Sequence, residues 1–250
     1  MKIIISPAKK MKINTEFEIR QMPCLLEKTE ILKNYMKSLG YAEAKRIWKC
    51  NDKIATANYE NVSKMNLSER LTPAILAYEG IQYQYMAPMV FDDGQLDYIE
   101  KKLYILSGFY GILRAFDGIV PYRLEMQADV RLAGFKNLYN FWFDDLYKQL
   151  YDDTDIVLNL ASKEYSKCIE TYLTTEKQLI TCTFGEYVEG KLITKGTYAK
   201  MARGEMVRYM AERKIETIDQ IKEFDRLGYQ YCKEESTRNH IVFIKHKGDN

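Results

Sequence analysis

The chain of 250 residues carries 37 basic and 35 acidic side chains, for a formal net charge of +2, and 46% of its residues are hydrophobic. Such a chain can bury a sizeable core. A net charge of +2 gives the protein a long-range electrostatic field too weak to hold a polyanion, so a nucleic-acid partner would need a local basic patch. Because no N-terminal apolar stretch approaches the roughly 18 residues of a membrane span, we expect no membrane partner.

The cysteines and histidines narrow the choice of function. The five cysteines are scattered without metal-ligand spacing, which suits a reducing compartment better than a disulfide framework. The two histidines leave little material for a zinc site or a catalytic triad. The sequence also has no glycine-rich phosphate loop and no nucleophile elbow. We therefore predict a cytoplasmic location, no metal and no cofactor, and we disfavour the common nucleotide hydrolases, esterases and dithiol oxidoreductases.

In the first half of the chain, a short strand precedes several helical patterns. Residues 2–5 are an apolar run that ends at Ser6 and Pro7, which predicts a buried, central strand. Apolar residues recur at helical spacing over residues 27–50. Shorter stretches over residues 73–79 and 96–106 also predict helices.

The middle of the chain has the signature of an α/β fold. An amphipathic stretch over residues 140–150 precedes an apolar run over residues 156–160, which is typical of a strand buried on both faces of a sheet. Ser162 follows as a predicted helix N-cap, with Glu164 in the first turn of the next helix.

The last part of the chain contains more strands. Residues 178–184 and 191–194 flank two glycines and predict a β-hairpin or a pair of adjacent strands. We predict a helix over residues 198–213 and then two antiparallel strands near residues 229–232 and 241–244. Since no repeat or linker interrupts the pattern, the sequence predicts one compact mixed α/β domain over residues 1–250, with a mixed sheet and surrounding helices.

Basic and hydroxyl side chains follow two of the predicted strands. Ser6, Lys9 and Lys10 come after the first strand, while Ser162 and Lys163 come after the strand at residues 156–160. Ligands of open α/β sheets bind beyond the carboxyl ends of the strands, and helix N-termini favour anions. The two segments therefore predict an anion site. The alternative is a solvated loop in the first segment and simple capping by Ser162 in the second.

One predicted helix carries basic residues on its apolar side. At about 100° per residue, Arg203 falls within the arc that contains Met206 and Met210, and Lys200 lies at its edge. A charge on an apolar arc must extend to solvent, pair or bind a ligand. Either Arg203 pairs with a buried carboxylate such as Glu125, or Lys200 and Arg203 line a cleft.

Residues 106–126 combine glycines and charges in a way that an ordinary core segment does not. Gly108 and Gly111 interrupt a helical pattern, and Arg114 follows them, which suggests a helix-hairpin-helix-like element whose N–H groups contact phosphate. In the alternative, the glycines only permit close packing and a turn.

The same block supplies most of the candidate catalytic groups. Glu125 is the candidate general base, and Tyr110, Tyr122 and Ser6 are further candidates. Arg123 is a candidate anion ligand beside them. The alternative role of Glu125 is an ion pair with a neighbouring arginine.

Five segments together resemble the YaaA peroxide-stress protein family, and the resemblance spans nearly the whole chain in the family's order. They are ISPAK at residues 5–9, LSGFYGILR at 106–114, PYRLEM at 121–126, NLASKEY at 159–165 and YAKMARG at 198–204. The resemblance implies a cytoplasmic bacterial protein that helps cells to survive hydrogen peroxide by limiting free iron and damage to DNA. It also implies a compact α/β fold with a basic cleft, a helix-hairpin-helix-like element and binding to duplex DNA.

Three hypotheses for the function follow. The preferred one is a monomeric stress protein that binds duplex DNA without sequence specificity, through a cleft lined by Lys9, Lys10, Arg114, Arg123, Lys163, Lys200 and Arg203. The alternative is an enzyme that acts in the same cleft on a nucleotide, a nucleic-acid lesion or a phosphorylated metabolite. The third is a thiol or iron sensor, motivated by the five cysteines. A small anionic ligand is compatible with the first two.

Overall fold

A computed structural model describes residues 1–245, so His246 and the rest of the predicted domain lie outside the described residues. The strands are β1 (Lys2–Ile5), β2 (Lys10–Met11), β3 (Thr72–Pro73), β4 (Tyr78–Glu79), β5 (Leu103–Ser107), β6 (Gly111–Arg114), β7 (Gly118–Ile119), β8 (Ile156–Leu160), β9 (Gln178–Val188), β10 (Lys191–Ile193), β11 (Tyr229–Thr237) and β12 (His240–Lys245). The helices are α1 (Leu26–Ser38), α2 (Tyr41–Trp48), α3 (Asp52–Ser63), α4 (Ala74–Ala77), α5 (Ile81–Met86), α6 (Asp93–Lys102), α7 (Leu138–Trp142), α8 (Asp145–Leu150), α9 (Lys163–Glu170), α10 (Gly196–Arg213) and α11 (Ile218–Ile221).

An eight-stranded mixed sheet organises the molecule in the order β11-β12-β9-β8-β1-β5-β6, with β10 paired to β9. The strands β5, β1, β8, β9 and β12 run parallel to their neighbours in that set. The hairpin partners β6, β10 and β11 are antiparallel. The predicted mixed α/β fold class is therefore confirmed.

Strand β1 lies inside the sheet, as predicted. Its residues Ile3, Ile4 and Ile5 are fully buried, because the strand is paired on one side with β5 and on the other with β8. The chain thus leaves β1 and later adds strands on both of its sides. In an open α/β sheet this arrangement creates a crevice at the carboxyl ends of the central strands, where ligands bind.

Several predicted elements are confirmed. The strand at residues 156–160 and the helix after it are β8 and α9, the predicted hairpin is β9 and β10, and the last predicted helix is α10. The two antiparallel strands near the end are β11 and β12.

Other predicted helices are shorter or interrupted. The helical pattern over residues 27–50 forms two helices, because Leu39 and Gly40 adopt extended backbone between α1 and α2. The predicted helix over residues 73–79 is the single turn α4. The residues on either side of this turn form strands, because Thr72–Pro73 pairs with β7 and Tyr78–Glu79 pairs with β2.

The prediction of a helix-hairpin-helix-like element around Gly108 and Gly111 is wrong, because β5 and β6 form a β-hairpin there. Helix α6 ends at Lys102, and the apolar run after it enters the sheet as β5, which pairs antiparallel with β6. The turn between them is held by Ser107, whose Oγ accepts hydrogen bonds from the N–H groups of Phe109 (3.2 Å) and Tyr110 (2.8 Å). Burial in the sheet overrides the local helical spacing.

Within residues 1–245, no helix has the length and apolar character needed to cross a membrane.

Candidate functional site

A pocket of about 420 Å³ lies at the carboxyl ends of β1 and β8, where the sheet topology places the crevice. It is bounded by the loop after β1, the segment before and within α5, the extended segment at residues 122–125, the start of α9 and one side of α10. Nine sequence-predicted residues line it: Ser6, Lys9, Lys10, Tyr122, Arg123, Glu125, Ser162, Lys200 and Arg203.

Two serines join the strand ends at the base of the pocket. The N–H of Ser162 donates to Ser6 Oγ at 2.8 Å, and Ser6 Oγ donates to Ser162 Oγ at 3.2 Å. The hydroxyl of Tyr83 donates to the Ser6 carbonyl at 3.0 Å and fixes the same loop to α5. Ser162 occupies the N-cap position of α9, but its side chain makes no capping hydrogen bond. Ser162 is therefore the N-cap residue, as predicted, but the alternative of simple capping is not found, because the Ser162 hydroxyl is engaged with Ser6.

Three of the pocket cations are paired with carboxylates. Lys9 Nζ lies 2.9 Å from Glu125 Oε1, and an Arg123 guanidinium nitrogen lies 3.9 Å from the same oxygen. Lys10 Nζ lies 2.8 Å from Glu79 Oε2. Glu125 thus has the ion pair that the sequence left as its alternative role, and the two carboxylates offset two of these three positive charges.

Lys200 and Arg203 form one wall of the pocket, and they differ from the three paired cations. They lie one turn apart on α10, and no ion pair joins either of them to a carboxylate within residues 1–245. Arg203 Nε is buried and has no hydrogen-bond partner, and burial lowers the pKa of the Arg203 guanidinium below its usual value. The alternative pairing of Arg203 with Glu125 is not found. A desolvated cation without a counter-ion is costly, so this wall is suited to an anion.

Gln82 is a pocket residue that the sequence analysis missed. Its side chain is only 6% exposed, and its Nε2 has no hydrogen-bond partner in the described part of the chain. Helix α5 holds it directly against α10, because Gly204 sits so close that a Cβ there would meet the Gln82 carbonyl oxygen at 2.0 Å. A glutamine between Ile81 and Tyr83 gives no sequence signal, and only the packing reveals it.

Glu164 is a second carboxylate beside Glu125. Burial raises the pKa of Glu164, and the negative charge of Glu125 raises it further, although the N–H of Gln127 opposes this by donating to its Oε1 at 3.2 Å. The sequence pattern assigns Glu164 only a place in the first turn of a helix. Its position in the pocket depends on the contact between residues 122–127 and α9, which has no local signature.

Tyr122 connects the pocket to the hairpin turn. Its hydroxyl lies 2.8 Å from that of Tyr78 and 2.7 Å from Ser107 Oγ. Burial raises the pKa of Tyr122 to about 12. The phenol therefore remains protonated at neutral pH, and it is suited to positioning and not to proton abstraction.

The two glycines of the hairpin lie behind the pocket and do not line it. A Cβ on Gly108 would lie 2.5 Å from the Leu124 carbonyl oxygen, so this glycine permits close packing of the turn against residues 124–125. Gly111 has φ +74° and packs on Trp142. The alternative role in packing and turn formation therefore describes both glycines, and neither lines the pocket.

The other three predicted site residues also lie outside the pocket. Tyr110 is buried, and its hydroxyl accepts a hydrogen bond from the N–H of Val120 at 3.1 Å. Arg114 contacts Asp117, with Nε 3.1 Å from Oδ1. Lys163 pairs with Glu170 on the outer side of α9.

The cysteines form no disulfide. Within residues 1–245, no cluster of three or more His, Cys, Asp or Glu side chains is arranged to hold a metal ion. Burial raises the pKa of both Cys168 and Cys182 to about 12, which keeps their thiols protonated and unreactive.

Comparison with known proteins agrees with this arrangement of motifs. A family model described as peroxide stress protein YaaA matches residues 1–235. Among similar curated proteins, a UPF0246 protein of Lachnoclostridium phytofermentans is 58% identical over 98% of this chain and 96% of its own length. UPF0246 proteins of Desulfitobacterium hafniense and Agathobacter rectalis are 55% and 54% identical, over 98% and 97% of this chain and 98% of each relative. The chain therefore belongs to the YaaA family of peroxide stress proteins.

Proposed function

We propose that this protein serves the peroxide stress response by binding duplex DNA at the mouth of the pocket, without sequence specificity, and so helps to limit oxidative damage to DNA. The observation that carries the proposal is the wall of Lys200 and Arg203, two neighbouring cations without a protein counter-ion. A cytoplasmic location and a monomeric state remain predictions.

Phosphate is the anion that best suits this wall. A guanidinium and an ammonium side by side can share the oxygens of one phosphate or contact two adjacent ones. Lys9 and Lys10 stand at the rim with side chains 64% and 79% exposed, where they can exchange their carboxylate partners for phosphates. Contacts of this kind read the backbone and not the bases, which explains why we propose binding without sequence specificity.

The proposal is tested by electrophoretic gel shift with a duplex at several salt concentrations. Each cation that contacts a phosphate contributes about −0.9 to the slope of log affinity against log salt concentration. Lys200→Ala should therefore weaken duplex binding and reduce the magnitude of the slope by about 1. Adding Arg203→Ala to this variant should further reduce both the affinity for the duplex and the magnitude of the slope.

Lys163→Ala is the matched control. Lys163 is 79% exposed and near the same end of the sheet, but it pairs with Glu170 and does not line the pocket. This variant should bind as the unaltered protein does. If the protein does not bind a duplex at low salt, or if the Lys200 and Arg203 double variant binds unchanged, the proposal is wrong.

A second candidate function is catalysis on a phosphate-bearing substrate in the same pocket. It is favoured by the two carboxylates that line the pocket, because burial raises the pKa of Glu164 and so suits this group to donate a proton near neutral pH. Glu125 would be the general base and Glu164 the acid. Turnover of a phosphorylated compound or of lesion-bearing DNA that Glu125→Gln abolishes, while duplex binding persists, would support catalysis. Turnover that survives Glu125→Gln would exclude this role.

A further inference from the structure

Two buried nitrogen donors that nothing in the described chain satisfies belong to residues that line the pocket. They are Gln82 Nε2 and Arg203 Nε, and they come from different helices, α5 and α10. Buried side-chain donors are normally paired, and each unpaired donor destabilises the empty protein. Two of them in one pocket point to a ligand that brings its own acceptors.

The packing of the two helices brings together the backbones of the residues that carry these donors. Gly204 brings α10 onto the backbone of Gln82, and Arg203 immediately precedes Gly204. Neither helix can withdraw without opening this close contact. The polar groups are therefore held in place before a ligand arrives, which reduces the entropy cost of binding.

The chemistry of the inner pocket differs from that of its mouth. A primary amide offers both a donor and an acceptor, the pattern with which glutamine recognises the edge of adenine. Around it lie the apolar or aromatic side chains of Ile81, Tyr83, Leu124 and Tyr165, which suit the faces of a planar ring. The charged wall of Lys200 and Arg203 is adjacent and suits a phosphate.

The size of the pocket also limits its ligand. Its volume of about 420 Å³ falls within the range of small-molecule sites, and it cannot admit a duplex. The duplex of the proposed function would therefore contact the mouth, while the interior would take a smaller group.

We infer that the interior binds a single nucleotide, with its phosphate at Lys200 and Arg203 and its base at Gln82. The inference deepens the proposed function, on which it rests for the role of the same cationic wall. The nucleotide is either free or extruded from a nucleic-acid strand, as in proteins that take a base out of the stack.

The inference is tested by calorimetric titration with three probes: deoxyadenosine monophosphate, deoxyribose 5-phosphate and deoxyadenosine. The nucleotide should bind at least about tenfold more tightly than either fragment, because only it contacts both ends of the site. Gln82→Leu should weaken nucleotide binding by about tenfold, which is the worth of one good amide contact to a base, and should leave deoxyribose 5-phosphate unchanged. Lys200→Ala should weaken both phosphate-bearing probes.

Gln82→Leu is suited to this test because it threatens folding little. It replaces a buried unsatisfied amide with an apolar group of similar size, so the empty variant should melt at a temperature equal to or higher than that of the unaltered protein. A loss of stability would indicate that the amide is satisfied in solution, and it would count against the inference.

The remaining outcomes separate this inference from the proposed function. Equal affinity for deoxyribose 5-phosphate and the nucleotide would mean a simple anion site and would overturn the inference, even if gel shifts show duplex binding. Nucleotide binding without duplex binding would overturn the proposed function alone. To distinguish the two sources of nucleotide, saturating deoxyadenosine monophosphate is added to duplexes with and without one unpaired adenosine. If the nucleotide weakens protein binding only to the duplex with the unpaired adenosine, the pocket takes an extruded nucleotide. If it has the same effect on binding to both duplexes, the pocket takes a free nucleotide.

Discussion

Arg114 and Asp117 show how a charge that resembles a ligand contact in the sequence can serve the fold. Asp117 is fully buried and accepts hydrogen bonds from the Arg114 N–H at 2.9 Å and from its Nε at 3.1 Å. Arg114 also donates to the Met22 carbonyl at 3.0 Å. The arginine therefore closes the turn after β6 and anchors the segment before α1, which explains why it is absent from the pocket.

Asp117 should give the stability of the protein a distinct pH dependence. Burial raises its pKa from 3.8 to about 6, although Arg114 opposes the shift. Because the folded pKa is above the unfolded one, the protonated group stabilises the fold at low pH, and this contribution is lost as pH rises through about 6. A difference of about two pKa units corresponds to about 3 kcal/mol in the free energy of unfolding between about pH 4 and pH 7.

Denaturant unfolding of Asp117→Asn across this pH range tests the assignment. The variant should lack this component of the pH dependence, whereas Asp219→Asn, which alters an aspartate with an 89% exposed side chain, should retain it. The same slope in all three proteins would show that Asp117 is ionised in the folded state at low pH.

The pocket also shows which residues can be assigned from local pattern. Lys200 and Arg203 were placed on the cleft by their positions around one helix, and Ser6 and Ser162 by their positions after strands. Each of these assignments needs only the sequence of one segment, because it rests on helical periodicity or on the position after a strand. Gln82 and Glu164 could not be predicted as pocket residues, because their environments are created by other segments that fold onto them.

The contact between α5 and α10 is the element-scale feature on which the pocket wall depends. At Gly204 the two backbones approach so closely that an added Cβ would lie 2.0 Å from the Gln82 carbonyl oxygen. Backbone cannot rotate away as a side chain can, so one helix must shift. A shift there moves Arg203 and Gln82 relative to each other.

Gly204→Ala should therefore destabilise the protein by roughly 1–3 kcal/mol, the usual cost of overpacking a tight contact, and weaken ligand binding. Gly196→Ala is the control on the same helix, because nothing lies within 4 Å of a Cβ at that position. Its stability should change by no more than about 0.5 kcal/mol. Urea unfolding measures both, and equal stability of the two variants would contradict the close contact.

The wrong predictions at this scale share a physical cause. Residues 96–106 have helical spacing, but only α6 is helical, because Leu103–Ser107 obtains hydrogen bonds and burial between β1 and β6. Residues 73–79 likewise belong at both ends to strands, β3 paired with β7 and β4 paired with β2, so that only one helical turn remains between them. In both segments a distant partner decides the structure, and local spacing contains no information about it.

Charge at the scale of the whole molecule is nearly balanced, and its arrangement matters more than its sum. The excess is only two basic residues, and many surface lysines and arginines are paired with carboxylates. Lys200 and Arg203 stand out because they line a pocket without such partners. Long-range attraction of a polyanion should therefore be weak, and binding should depend on short-range contacts at the pocket mouth.

The order of strands in the sheet is the feature that the sequence could least predict. Strand types and approximate limits followed from apolar runs and glycines, as for β1, β8 and the hairpin of β9 and β10. The insertion of β12 between β9 and β11 depends on contacts between segments far apart in the chain. No local pattern distinguishes that order from a simple meander.

The position of β12 has a consequence for the order in which a ribosome produces this fold. Strand β11 reaches the sheet only by pairing with β12, which follows it in the chain. All of the residues that line the pocket precede residue 204, so the ligand site emerges before that edge of the sheet can be completed. Until β12 is made, β9 has an unpaired edge that another chain could occupy. The nascent protein therefore acquires its site early and its protection against aggregation late.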